Sequence, residues 1–405
     1  MVPKSVVIMD SFASVVGGAT RVAVDETVGL ASAGVSTTFL AAVGPVSDDL
    51  MASNVRTVCL NQERLTDVRG APSIALHSLW NIRAYDATRR LLNECNPRDT
   101  IVHVHGFAQT ISASPIRCAV SRGFKVVLTL HDYLAVCPNG VFFDYPSASV
   151  CERTPLSMSC VAHNCDKRHY AHKLFRVVKT QAQRLLCDLP GAVGHYIGLS
   201  HSSVERIRPY LPSNSKYYFL RNPCTVPKQA PVTAGRSGIV AVIGRLSAEK
   251  GIDNIVAAGK LAGVPLLFIG DGPMRVVAEG GGRNRVTGWL QRDEVFRHLE
   301  AIRCVVFPSL WPETYGLSVM DAAARGVPSI VSNIAGIAEW IEDGRTGWQT
   351  PVGDVGALAA RLESTKSDSV VSSVGHAAYT KYWQAPLTLE DHVRELIEIY
   401  RDVLT

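Results

Sequence analysis

Two doubly wound α/β domains facing a central cleft are the architecture this sequence predicts. The 405 residues suffice for two ordinary cores. Apolar strand-like runs alternate with helical patterns along the whole chain, as in parallel sheets covered by helices on both faces. A stretch without periodicity, Thr225-Val-Pro-Lys-Gln-Ala-Pro-Val-Thr-Ala-Gly235, divides the chain near its middle and reads as a linker. The expected division is a first domain over 1–230, a second over 231–385 and a terminal helical segment over 386–405.

In the first unit the clearest strands are Ser5 to Met9, Ser36 to Ala42, Thr100 to Val104, Lys125 to Leu130 and a run near Tyr196 to Leu199. The second unit opens with Gly238-Ile-Val-Ala-Val-Ile-Gly244 and repeats the alternation. At the end of the chain Thr388 is placed to cap a helix, with Glu390 and Asp391 in its first turn and Val393, Leu396, Ile397, Tyr400 and Leu404 on one apolar face.

A hydrophobic share of 47% with 19% charged residues describes a globular chain. The early apolar run Val6-Val-Ile-Met9 is cut off by Asp10, so no secretory signal is read there, and no stretch reaches the roughly twenty apolar residues of a membrane helix. A cytoplasmic protein with mostly reduced thiols is expected. Residues 1–230 carry 24 Lys and Arg against 16 Asp and Glu, and residues 231–405 carry 17 against 20, so the net +5 is split +8 and −3. The first half therefore suits an anionic lipid surface or a diphosphate-linked acceptor. Nucleic acid is not expected, because aromatic residues are not interleaved with the charge.

The chemistry-bearing residues gather at strand ends, where open parallel sheets bind ligands. Arg245 and Lys250 lie in the turn Arg245-Leu-Ser-Ala-Glu-Lys250-Gly251 after the first strand of the second unit, a pairing suited to an anion. The run Phe307-Pro-Ser-Leu-Trp-Pro-Glu313-Thr-Tyr-Gly316-Leu-Ser-Val-Met-Asp321 reads strand, loop, helix. It has a carboxylate at each end of an eight-residue step, and helix-start N–H groups at Tyr315, Gly316 and Leu317 that can face a sugar or phosphate. In the first unit Gly17 and Gly18 follow the first strand and allow close backbone approach to a phosphate. Two further strand ends carry His105 and His131.

These motifs, with Phe268-Ile-Gly270-Asp-Gly272-Pro273 and Val286-Thr-Gly288, strongly resemble the retaining glycosyltransferases of family 4 (glycosyl transferases group 1), whose signature is Glu, seven residues, Glu in a GT-B fold of two Rossmann-like domains. The likeness covers the second half; Asp321 stands where the family most often has Glu. It implies a hexose moved from a UDP- or GDP-linked donor to a hydroxyl acceptor, a sugar or a lipid-linked or polysaccharide precursor. The anomeric configuration would be retained, with no cofactor and no metal. On it Glu313 bonds a hydroxyl of the donor sugar, Asp321 holds the ribose, Arg245 and Lys250 answer the diphosphate, and His131 contacts the transferred sugar with His105 behind it. The terminal helix would cross back onto the first domain.

A nucleotide-sugar epimerase of similar fold and a non-catalytic sugar-nucleotide-binding subunit are the alternatives. A nicotinamide-dependent dehydrogenase fits less well, since Gly270-Asp-Gly272-Pro-Met-Arg275 lacks the third glycine of the dinucleotide fingerprint. Two segments stay open. Cys137, Cys151, Cys160 and Cys165 could hold a structural zinc, although their gaps of thirteen, eight and four residues are not those of a zinc ribbon. The run from Lys167 to Leu186, with six Lys and Arg and no acid, could lie on an anionic membrane by a helical face of Leu174, Val177, Val178, Gln181 and Leu185, or pack that face on the domain.

Overall fold

Two parallel sheets organise the chain in a computed structural model that describes residues 2–64, 77–280 and 282–405. The first contains β1 (Ser5–Phe12), β2 (Ser36–Val43), β3 (Arg56–Cys59), β4 (Thr100–Val104), β5 (Lys125–Thr129), β8 (His195–Gly198) and β9 (Lys216–Phe219), in the order β3-β2-β1-β4-β5-β8-β9. A short antiparallel hairpin, β6 (Phe143–Asp144) with β7 (Ser149–Val150), sits in the long connection after β5. The second sheet contains β10 (Ile239–Ile243), β11 (Leu266–Ile269), β12 (Arg285–Val286), β13 (Ile302–Phe307), β14 (Ser329–Ser332) and β15 (Trp348–Thr350), in the order β12-β11-β10-β13-β14-β15. Both orders reverse direction at their first strand. That reversal opens a crevice at the strands' carboxyl ends.

The central strands are apolar runs because both faces are covered. Val6 to Met9, Ile101, Val102, Val126 to Leu128, Val240, Ala241 and Cys304 to Val306 are all buried. β1 runs three residues beyond Met9, since Asp10 and Ser11 are buried within the strand rather than opening a loop.

After the helix Asp368–Gln384, which packs on the second sheet's helices, the chain returns to the first domain. Thr388 accepts from the Asp391 N–H and caps the last helix, Leu389–Leu404. That helix buries Val393, Leu396, Tyr400 and Val403 in one cluster with Val6, Ile8, Ala23, Val24 and Ile197 of the first sheet's layer. A Cβ at Gly29 would lie 2.6 Å from Val393, so the glycine sets how closely the terminal helix approaches the helix Gly18–Ser32.

Candidate active site

The cleft between the two sheets is closed by direct contacts around the loop Ser309–Gly316. Leu310 and Trp311, although carried by the second domain, are buried within the first domain's hydrophobic cluster. Tyr133 donates its hydroxyl to the Pro312 carbonyl at 2.6 Å, and the Thr314 hydroxyl donates to the His131 carbonyl at 2.9 Å. These two bonds bracket Glu313. Each comes from the segment just after β5.

Glu313 itself is largely enclosed. Ser309 donates to one oxygen at 2.5 Å and Lys250 pairs with the other. The Lys250 ammonium also lies 5.4 Å from the centre of the Phe307 ring and 5.8 Å from that of Trp311, so aromatic faces share its charge. Lys250 reaches this place because Gly251, at φ 70°, turns the chain into the helix Ile252–Ala262 while its α-carbon presses on the Pro308 carbonyl, where a Cβ would come within 2.2 Å. Arg245 stays exposed at the mouth. It faces Lys167 across the cleft, whose ammonium is pushed below its ordinary range by burial and then by Arg245. Like charges held this close in a cleft favour a shared anion.

The helix Leu317–Ala324 has Gly316 as its N-cap. Its first N–H groups have no helical carbonyl to pair with, and the glycine pair of the first domain stands opposite. A Cβ at Gly18 would lie 2.6 Å from Leu317 Cδ1, whereas one at Gly17 would meet nothing within 4 Å. Asp321, one turn further along, pairs with Arg292 at 3.1 Å. Burial raises its carboxyl above the usual range and Arg292 offsets part of that. It lines a small pocket with Arg221, Cys224, Tyr315, Met320 and Tyr382 at the return of the chain to the first domain. Next to β10, Gly270 at φ 144° lets β11 end against it, a Cβ there being 2.0 Å from the Gly244 carbonyl.

The first domain contributes a buried polar layer beneath the cleft. His131 Nε2 lies 2.9 Å from His105 Nδ1. Burial, then the neighbouring His105, pushes His131 down to about 3, so its ring is neutral at physiological pH. Asp10, within β1, and Asp132, just after β5, are both buried, and burial pushes their carboxyls up to about 7 and about 6. Gly106 leaves room for Asp10, whose Oδ2 would be 2.9 Å from a Cβ there.

The structure thus brings Glu313, Lys250 and His131 to one cleft, and sets Gly17, Gly18, Tyr315, Gly316, Leu317 and Arg245 around it. Several partners escaped sequence reasoning: Ser309, Trp311, Thr314, Tyr133 and Arg292. Ser309 and Trp311 stand four and two residues before Glu313 between prolines, a local signal; Tyr133 and Arg292 had none.

Two readings that the sequence left open are narrowed by the structure. The four cysteines do converge, all buried, but the cation among them is an ammonium: Lys173 Nζ lies 3.3 Å from both Cys160 and Cys165 Sγ, and Asn139 donates to Cys165 at 3.4 Å. Among the described residues the only group with metal-like spacing is Glu26, His103 and His105, not the thiols. The helix Tyr170–Cys187 is also turned the other way. It packs by Lys173, Thr180, Gln183 and Cys187 and leaves Leu174, Val178, Leu185 and Leu186 exposed. Lys179 bonds the Ala108 carbonyl and Arg176 pairs with Asp166 at 2.8 Å, so these cations hold the helix to its domain.

Comparison with known proteins agrees with this geometry. A family model described as Glycosyl transferases group 1 matches residues 237–368. The whole chain superposes on a sucrose-phosphate synthase from Thermosynechococcus elongatus with a TM-score of 0.70 at 17% identity, covering 99% of each chain. The Anabaena protein HepE, solved with UDP and glucose, superposes at 0.68 and 14% identity, over 98% of this chain and 99% of that one. This is a GT-B fold whose residues 237–368 match the Glycosyl transferases group 1 model.

Sequence relatives match shorter stretches of the chain. A glycogen synthase of Mycobacterium tuberculosis is 33% identical over 138 residues, 31% of this chain and 33% of its own. A GDP-mannose-dependent alpha-mannosyltransferase of Corynebacterium glutamicum is 29% identical over 177 residues, 42% of this chain and 41% of its own. The matched stretch therefore spans a third to two-fifths of these relatives. Among the described residues no helix is long and apolar enough to cross a membrane.

Proposed function

We propose that this GT-B protein is a retaining glycosyltransferase that moves a hexose from a UDP- or GDP-linked donor to a hydroxyl of a sugar or lipid-linked glycan. One observation carries the reading. Glu313, clamped by Ser309 and Lys250, lies beside a free helix start that faces a glycine pair across the cleft. The carboxylate accepts a sugar hydroxyl, and the glycines and helix N–H groups admit a diphosphate. As the glycosidic bond breaks, charge grows on that diphosphate. Lys250 and Arg245 answer it more strongly in the transition state than before. With these side chains in place no divalent cation is needed.

Lys250 and Glu313 neutralise each other in the free protein. A donor diphosphate that draws Lys250 toward itself leaves Glu313 to the sugar, so binding and activation are coupled. His131, neutral, supplies a polar contact to the sugar without competing for the positive charge that develops at its anomeric carbon. In the same-face route that this site favours, the leaving phosphate takes the acceptor proton.

The exposed apolar residues of the helix Tyr170–Cys187 support docking at the inner face of an anionic membrane, with Arg168 exposed at its start. A lipid-linked acceptor would be met there.

A panel of nucleotide sugars, assayed for release of nucleoside diphosphate with simple and lipid-linked acceptors in excess EDTA, tests the function. Turnover with one donor and a product of retained configuration is expected. Epimer formed from donor alone, or activity abolished by EDTA and restored by manganese, would overturn it.

A further inference from the structure

Beneath the cleft, three histidines from two distant parts of the chain, His103 and His105 at the end of β4 and His392 on the terminal helix, meet around one carboxylate. Glu26, on the helix Gly18–Ser32, is 2% exposed. One of its oxygens lies 2.9 Å from His392 Nε2 on the terminal helix. The other lies 3.1 Å from His105 Nε2 and 3.4 Å from His103 Nδ1. His105 Nδ1 in turn lies 2.9 Å from His131 Nε2 at the cleft. His103 is held by the hydroxyls of Tyr400 and Thr129, each at 2.7 Å.

Hydrogen-bond chemistry fixes where the protons go. Burial raises a carboxyl, but the rings of His105, His392 and His103 outweigh it and hold Glu26 well below the usual range, so it is ionised and can only accept. A bare nitrogen lone pair 3.1 Å from that oxygen would be repelled, so His105 carries its proton on Nε2. With that single proton on the ring, His105 Nδ1 is an acceptor, and Nε2 of the neutral His131 ring facing it is the donor. The proton positions of both rings follow from one carboxylate. His392 cannot substitute for His105 here, because it presents an N–H from each nitrogen, Nδ1 to the Arg221 carbonyl and Nε2 to Glu26, both at 2.9 Å, and has no bare nitrogen to pass the arrangement on. The contact of His105 with Glu26 is close but bent: neither His105 Nε2 nor Glu26 Oε2 has an aligned partner, although both are buried. Two such atoms are costly to leave poorly paired, and the site tolerates them.

We propose that Glu26 is a positioning residue for sugar transfer: it sets the tautomer of His105 and, through it, of His131, and ties both rings to the terminal helix through His392. The arrangement parallels buried acids that orient a working imidazole from behind. It rests on reading His131 as a sugar contact.

Selective imidazole 15N labelling and long-range 1H–15N spectra of the whole protein read the tautomers without any turnover. His105 and His131 are expected with protonated Nε2 and bare Nδ1; a protonated Nδ1 on His105 in the wild-type protein overturns the proposal. Glu26→Leu removes the acceptor and should mix the tautomers of both rings, lowering kcat at least about tenfold with donor KM within about twofold. Glu26→Gln can point its carbonyl at His105 and its amide at a His392 Nε2 that has given up its proton, so kcat should recover to within about threefold of wild type. Wild-type kcat in the folded Leu variant, or equal losses in Leu and Gln, overturns the positioning role. If Glu26→Leu fails to fold, the wild-type spectrum and Glu26→Gln still decide. Were no sugar transferred at all, the reading of the site would fail while the spectra tested the tautomers independently.

Discussion

Gly18 and Leu317 meet across the cleft, one from each domain, so closely that a β-carbon on Gly18 would lie 2.6 Å from Leu317 Cδ1 and displace that side chain. The glycine loop and the start of the helix Leu317–Ala324 are therefore packed to contact before any donor enters.

Adding volume at Gly18 should wedge the domains apart. Gly18→Val is expected to raise donor KM about tenfold, as overpacking costs roughly 1 to 3 kcal/mol, with Gly18→Ala milder. Adding Leu317→Ala should recover part of the loss. Unchanged donor KM in a folded Gly18→Val protein would show that closure plays no part in donor binding.

The two acids should fail differently. Glu313→Gln keeps a group that Ser309 can bond but loses the pairing with Lys250, and kcat should fall far more than donor affinity. Asp321→Asn can still accept from Arg292 and from ribose but loses the charge that strengthens both contacts, so donor KM should rise with a cost of roughly 1 to 3 kcal/mol. Steady-state kinetics, with folding checked by thermal melts, separates them. The same pure KM defect in both would refute separate sugar and ribose roles.

Asp10 should make the protein less stable as pH rises. Its carboxyl titrates at about 7 when folded against 3.8 as its ordinary value, so between those values the folded state holds a proton that the unfolded state has lost. Stability from this group is lost as pH climbs through that window, by up to about 4 kcal/mol above it. Asn can still accept from the Phe12 N–H, so Asp10→Asn should melt higher than wild type at pH 8 and nearly alike at pH 4. A lower melting point at pH 8 would show that the charged form is favoured by the fold.

Replacing Leu174, Val178 and Leu185 together by serine should leave the fold intact, since all three are exposed, and abolish sedimentation with vesicles rich in anionic lipid. Equal sedimentation of the variant, or none of the wild type at low salt, would remove the membrane from the scheme.

The sheets were legible because buried parallel strands must be apolar runs, as Val240 to Val242 and Val126 to Leu128 are. Glu313, Lys250 and the glycine pair were legible because their chemistry is local to one turn or loop. What stayed hidden has long reach. Glu26 and His392 meet across 366 residues, and no spacing announces that. Which side of the helix Tyr170–Cys187 is buried stayed open for another reason: its apolar periodicity is real, yet the buried side is settled by the thiols of Cys160 and Cys165, which accept from Lys173 and lie in a segment with no clear periodicity. Four cysteines suggested a metal by composition, where geometry supplied an amine.

The terminal helix carries a consequence for synthesis. Val393, Leu396 and Tyr400 belong to the same hydrophobic cluster as Val6 and Ile8, so the second domain is in effect inserted between two pieces of the first. A ribosome must deliver the entire nucleotide-facing half before the opening half can seal its core. Domains usually complete in order as the chain emerges. Here the order is reversed, and the nascent first sheet waits with an uncovered apolar face until the last turn of helix arrives.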